Sequence, residues 1–174
     1  MEFSDLIRKR RSIRKYINQE IPNNTIDHII NDARQAPSGN NKQPWKYKVI
    51  KDKKTKEKLK KANIFKQNFV YKAPVIIVCC TDSNVYPRSK HEPGFDDTYK
   101  GRAGRDLTIA TAYLELKAVE LGLGTCWVGW TNKEKIKEVL NIPKKYYVPY
   151  VLTMGYAAED PKPRGRKPLE EMFL

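Results

Sequence analysis

Arg8, Lys9, Arg10, Arg11, Arg14 and Lys15 make six of the nine residues in the stretch RKRRSIRKY cationic. Such side chains repel one another, and nothing in the packing of a core calls for crowding them, so the run implies an anion. Guanidinium forks match phosphate oxygens bidentately. Nucleic acid, membrane phosphate and a phosphorylated cofactor all meet that description. A second stretch, APSGNNKQPW (36–45), sets Ser38, Asn40, Asn41 and Gln43 between two prolines. These are short hydrogen-bonding groups on backbone that proline and glycine constrain, although an ordinary polar turn has the same composition. A third, PRGRKP (163–168), carries Arg164 and Arg166 on a proline-flanked segment, where a solvated tail is the simplest reading.

The elements that must position these stretches alternate helix and strand without internal repeats. Phe3, Leu6 and Ile7 predict a short helix ending near the arginines. Thr25 is expected to cap a second helix, in which Ile26, Ile29, Ile30 and Ala33 form one apolar stripe before Pro37 stops it. His28 lies off that stripe and reads as exposed. WKYKVI (45–50) alternates as a half-buried strand does, and PVIIVCC (74–80) has the unbroken apolar run of a strand covered on both faces. Between them, KDKKTKEKLKK mixes Lys and Glu at helical spacing, the pattern of a solvated helix face. From about Arg102 to Leu121 a helical period runs through Leu107, Ala110, Thr111, Leu114 and Ala118 to a Gly122 cap. Its small residues predict close packing, in the core or between subunits. GLGTCWVGW follows, then a short helix in NKEKIKEVLNI, a strand in YYVPYVLTMGY and a proline-rich tail ending on Met172, Phe173 and Leu174. Residues 81–101 read as a functional lid or a mobile connection. His91, Glu92, Asp96 and Asp97 fall there but match no metal-site spacing.

Composition narrows the choice of anion. A chain of 174 residues with a formal charge of +14 is expected to form one domain and to attract a polyanion. Much of the charge sits in the lysine-rich helix, however, and the basic residues lack the aromatic interleaving of RNA-recognition surfaces. Cys79, Cys80 and Cys126 contain no C-x-x-C and predict neither a disulfide framework nor a zinc site. No run reaches membrane-spanning length and no signal-peptide pattern opens the chain, so a cytoplasmic location is expected. GLGTCW is not a dinucleotide-binding fingerprint, because Trp127 stands at the third glycine position and the stretch follows a helix.

Four motifs occur in order: R-R-S-[IV]-R-x-[FY], A-P-S-x-x-N-x-Q-P-W, G-L-G-T-x-W-x-G and a closing R-x-R-x-P. Together they resemble the FMN-dependent nitroreductase family over essentially the whole chain. The resemblance implies an α+β fold in three layers, a central mixed β-sheet flanked by helices. It implies one FMN-binding domain over residues 1–174, with 157–174 as an extended tail. It further implies a homodimer with shared active sites. Such an enzyme takes two electrons from NAD(P)H and passes them, in ping-pong fashion, to a nitroaromatic, quinone or similar electron-poor acceptor.

Carried over residue by residue, Arg10, Arg11 and Arg166 would hold the FMN phosphate, with Arg164 close by and Ser12 offering its hydroxyl and N–H. Arg14 would lie at the N1–C2=O edge of the flavin. Asn41 and Gln43 would bind the ribityl chain and ring edges, and Pro37, Ser38 and Gly39 would form a wall. The backbone at Val128 and Gly129 would pass one flavin face. No side chain is required as nucleophile or general base. The chain is shorter in the middle than the larger relatives, and residues 81–101 are the expected counterpart of what is missing, with Tyr86, His91 or Phe95 as candidates to face the flavin. Two rivals share the cofactor: a specialised flavin enzyme (reductive dehalogenation or flavin degradation) and a non-catalytic FMN-binding protein. A third is a basic nucleic-acid-binding module; neither nucleic acid nor membrane is the expected partner.

Overall fold

The run from Val75 to Cys80 has no polar side chain to turn toward water, so its strand can exist only with both faces covered. The computed structural model, which describes residues 1–86 and 99–174, places it so. Strand β2 (Val75–Asp82) is flanked by β1 (Trp45–Ile50) and β4 (Tyr146–Tyr156), and β3 (Leu123–Val128) closes the order β1-β2-β4-β3. Successive side chains point to opposite faces. Val75, Ile77 and Cys79 join Ile26, Ile29, Leu107 and Leu114 on one side. On the other, Ile76, Val78 and Cys80 join Leu59, Phe65 and Ile136.

Helices α2 (Asn23–Ala33) and α5 (Tyr99–Glu120) therefore cover the first face, and α3 (Lys53–Lys61), the short α4 (Phe69–Lys72) and α6 (Lys133–Val139) the second. The architecture is α+β in three layers, as expected. The pairings within the four-stranded sheet are all antiparallel. Among the described residues, parallel pairing enters through the isolated bridge between Ser12 and Thr125.

Local chemistry accounts for most helix ends. Asp52 accepts from the Thr55 N–H at 2.7 Å to start α3, and Asn132 accepts from Lys135 at 3.1 Å to start α6. Thr25 does not cap α2. Pro22 takes that position, its fixed φ leaving its carbonyl free to accept from Thr25 (3.1 Å) and Ile26 (3.3 Å). On α3 only Leu59 is buried, which leaves the lysines as the solvated face expected of them. His28 is exposed, 3.6 Å from Asp32. Gly122, with φ +78°, turns the chain out of α5 directly into β3, where the sequence pattern had shown no strand. Among the described residues no helix is long and apolar enough to cross a membrane. His91, Phe95, Glu92, Asp96 and Asp97 lie outside the described residues.

The segment after α1 (Phe3–Lys9) is stitched to the sheet edge. Ile13 N–H donates to the Thr125 carbonyl at 2.7 Å, and Ile17 N–H to Tyr156 at 2.9 Å. A methyl group at Gly124 would lie 2.6 Å from the Ile13 side chain, and one at Gly155 2.7 Å from Tyr16, so glycine at both places admits the crossing strand. The Tyr16 hydroxyl donates to the Ile13 carbonyl at 2.6 Å and sits 2.7 Å from the Thr153 hydroxyl. Arg10 to Lys15 are thereby held in one place.

Candidate functional site

That stitching also decides where the C-terminal tail goes. After β4, Ala157 bridges Tyr16, and the Ala158 N–H donates to the Lys15 carbonyl at 2.9 Å. The Glu159 carboxylate then accepts the backbone N–H groups of Arg14 (2.5 Å) and Lys15 (3.1 Å). Extended backbone through Pro161 and Pro163 carries Arg164 and Arg166 back along the N-terminal segment. A cleft of about 720 Å³ results. Its N-terminal wall is Arg8, Arg10, Arg11, Ser12 and Arg14; its tail wall includes Lys162, Arg164 and Arg166. Two cationic stretches at opposite ends of the sequence thus face one cavity.

Few of these charges are neutralised. Arg10 lies 3.6 Å from Glu115, a buried carboxylate on α5 that also accepts from the Thr125 hydroxyl at 2.9 Å. Arg8 meets Asp5 at 3.7 Å in full exposure, a contact worth little. Arg11 donates to the carbonyls of Arg8 and Arg10, Arg14 to that of Ser12 (3.3 Å), and Arg166 to those of Arg164 and Gly165 (3.2 Å each). These bonds orient guanidinium groups without cancelling their charge. Among the described residues, Arg11, Arg14, Lys162, Arg164 and Arg166 have no carboxylate partner, and a cavity walled by them focuses a positive potential on whatever enters. Burial pushes the thiol of nearby Cys126 up from its ordinary pKa, so it stays protonated beside these cations.

The polar stretch forms a different object. Gly39–Asn41 make a single 3₁₀ turn, and Asn40, Asn41 and Gln43 take φ of +50°, +53° and +48°. Three left-handed non-glycine residues within four positions exceed what an ordinary turn needs. The Ser38 hydroxyl accepts the Gln43 N–H at 2.9 Å, and the Gln43 amide donates to Asn41 Oδ1 at 3.0 Å. Pro37 is exposed, as are the residues from Gly39 to Gln43. None of them lines the arginine cleft of the same chain. At the end of β3 the Val128 side chain is buried in the second core cluster, leaving only its backbone available. Gly129 follows in the open, where an added methyl would meet nothing within 4 Å.

Tyr86 does not face open space. It is buried with its ring against Gly39, its hydroxyl hydrogen-bonded to Asp106 on α5 and pushed up to a pKa of about 12, first by burial. Sequence reasoning missed Glu115, Glu159 and Asp106. The signal for two of them was present, since Asp106 and Glu115 are carboxylates on the longest helix among the described residues, beside its apolar period.

Residues 7–64 and 61–156 match the model of the nitroreductase family. The chain belongs to that family. As a nitroreductase-family protein it is an oxidoreductase enzyme. It is 30% identical over 189 residues to an NADH dehydrogenase of Thermus thermophilus, an alignment covering 95% of this chain and 92% of that one. To the FMN reductase [NAD(P)H] of Bacillus subtilis it is 28% identical over 171 residues, covering 92% and 68%. The crystal structure of a nitroreductase family protein from Clostridium difficile superposes with a TM-score of 0.84 at 30% identity, covering 100% of this chain and 98% of that one. The fold is that of the nitroreductase family.

Proposed function

We propose that the protein is an FMN-dependent NAD(P)H oxidoreductase, working as a homodimer and reducing a nitroaromatic, quinone or similar electron-poor acceptor. The observation that carries this reading is the cleft in which Arg10, Arg11, Arg14, Arg164 and Arg166 converge. Its donor set suits a phosphate dianion: several guanidinium groups lacking carboxylate partners, with the Ser12 hydroxyl among them. A nucleic-acid-binding module would leave the convergence of the two ends of the chain and the strained Asn/Gln loop without a use.

FMN, when bound, supplies the capacity to take two electrons from NAD(P)H and return them to an acceptor. The side chains then have binding and electrostatic tasks only. Arg10, Arg11 and Arg166, with Arg164 and Ser12, bind the phosphate. Asn41 and Gln43 offer amide donors and acceptors to the ribityl chain and ring edges, beside the wall of Pro37, Ser38 and Gly39. The backbone at Val128 and Gly129 stays open to the ring. Purified protein should be yellow, heat should release FMN rather than FAD, and NAD(P)H oxidation should depend on an added acceptor. A colourless protein that takes up no FMN on reconstitution would sink the reading.

Arg14 tests the electrostatic half of this assignment. Its guanidinium is oriented by the Ser12 carbonyl at 3.3 Å and forms no ion pair among the described residues, the Glu159 carboxylate being held by the backbone N–H groups of Arg14 and Lys15. A cation at the N1–C2=O edge stabilises the reduced ring, so Arg14→Ala should lower the flavin midpoint potential while most of the affinity survives. The expected shift is on the order of 30 mV, which for a two-electron couple is about 1.4 kcal/mol. Redox titration of the bound flavin measures it, and an unchanged potential would remove Arg14 from that edge.

Surface chemistry supports the homodimer. Phe3, Leu6, Tyr113 and Leu116, together with the charged Asp32, Lys117 and Glu120, line a groove of about 390 Å³ where α1 meets α2 and α5. Leu169, Met172 and Phe173 expose further apolar surface on the tail. A second copy can cover both. Because the polar loop and the arginine cleft do not meet within one chain, pairing the loop of one subunit with the cleft of its partner completes each site.

A further inference from the structure

The loop that presents Asn41 and Gln43 is held partly from within, where Asn41 N–H donates to the Ser38 carbonyl at 2.9 Å and Lys42 N–H to the Gly39 carbonyl at 3.1 Å. Its backbone is left-handed at three residues, and these bonds leave the Gly39 N–H and the Pro44 carbonyl to be anchored from outside. Both anchors exist. At one end the Pro44 carbonyl accepts the Asp82 N–H at 2.9 Å, with the Thr81 hydroxyl at 3.4 Å. At the other, the Gly39 peptide is gripped by a pair of side chains from elsewhere in the chain. Gly39 N–H donates to Asp106 Oδ2 at 3.3 Å. The Tyr86 hydroxyl lies 3.1 Å from the Gly39 carbonyl and hydrogen-bonds the same Asp106 oxygen, its one proton serving one of them at a time.

Asp106 and Tyr86 are each only 4% exposed. A Cβ on residue 39 would sit 3.0 Å from the Tyr86 hydroxyl oxygen and 3.2 Å from its ring, so any side chain there would have to push Tyr86 aside by a few tenths of an ångström. A buried carboxylate on a helix is costly to keep and is retained where it has a task. Here the task is visible, since α5 reaches through Asp106 to the loop that exposes the Asn41 and Gln43 amides.

We propose that Asp106 and Tyr86 are positioning residues for the cofactor: they hold the Pro37–Gln43 loop in its strained shape before the flavin arrives. This rests on the FMN reading above. Ordering the loop in advance removes that cost from the binding step. Because the loop serves the ring and ribityl chain, loosening it should weaken FMN and riboflavin, which lacks the phosphate, by the same factor.

The test is flavin titration of the apoprotein by fluorescence quenching, with thermal unfolding of each apoprotein alongside. Tyr86→Phe removes one hydroxyl, Asp106→Ala removes the acceptor, and Asp106→Asn restores a neutral acceptor. Losing the buried acceptor should raise the dissociation constant about tenfold for both flavins, with Tyr86→Phe smaller and Asp106→Asn regaining most of the loss. The visible circular dichroism of the bound flavin should change as its surroundings loosen. Affinities within about twofold of wild type in Asp106→Ala and Tyr86→Phe would overturn the proposal. So would a loss confined to FMN, which would place the effect at the phosphate. If Asp106→Ala does not fold, the conservative Tyr86→Phe decides by itself. Wild-type protein that takes up no flavin would overturn the functional reading and this inference together; yellow wild type with unaltered variants overturns only the inference.

Discussion

Arg10→Ala is expected to raise the FMN dissociation constant by roughly 10- to 100-fold, the effect of losing a charge-assisted hydrogen bond to phosphate. The same substitution should also destabilise the apoprotein, for a separate reason. Glu115 is buried, and Arg10 is its cationic neighbour at 3.6 Å; without it the carboxylate keeps, among the described residues, the Thr125 hydroxyl at 2.9 Å. An orphaned buried charge costs about 1–3 kcal/mol or more. The double variant Arg10→Ala/Glu115→Gln separates the two effects. Neutralising residue 115 removes the orphan, so thermal stability should return toward wild type while FMN affinity stays low. If the double variant instead regains FMN affinity, Arg10 acts by balancing Glu115 and not by binding phosphate.

Glu115 also shows where reading residues in order stops working. The apolar period of α5 is visible from Leu107 to Ala118 because burial against β2 and α2 tolerates only small and apolar groups along that face. A carboxylate within such a helix looks solvent-facing until the segment crossing over it is known. Arg10 reaches Glu115, and Tyr86 with Gly39 reaches Asp106, from parts of the chain whose paths no local pattern specifies.

The β2 strand was legible for the opposite reason, since six consecutive apolar residues allow one solution. Strand β3 was hidden by its glycines, which resemble turn residues. Gly124 is there because the Ile13 side chain passes where a methyl group would otherwise sit. The three candidate stretches were legible as residue types. That two of them meet is settled by Glu159, whose carboxylate draws the tail onto the backbone of Arg14 and Lys15.

The stretch APSGNNKQPW stands apart from that meeting, and this makes the largest all-or-none prediction. If a site needs the arginine cleft of one subunit and the Asn/Gln loop of the other, two inactive variants should complement. One carries Arg10→Ala and Arg14→Ala. The other carries Asn41→Gly and Gln43→Gly, because glycine keeps the left-handed backbone that both positions adopt while removing the amides. In a mixed two-fold dimer, one site collects every lesion and the other collects none. With random pairing about half the dimers are mixed and each regains one of two sites, so co-refolding should restore about a quarter of wild-type activity. A subunit tag and native mass spectrometry would establish that mixed dimers formed. Sites built within single chains would each keep a lesion, so no activity would return. Mixed dimers without recovered activity would therefore reject the shared site, and would require the loop and the cleft to meet within one chain.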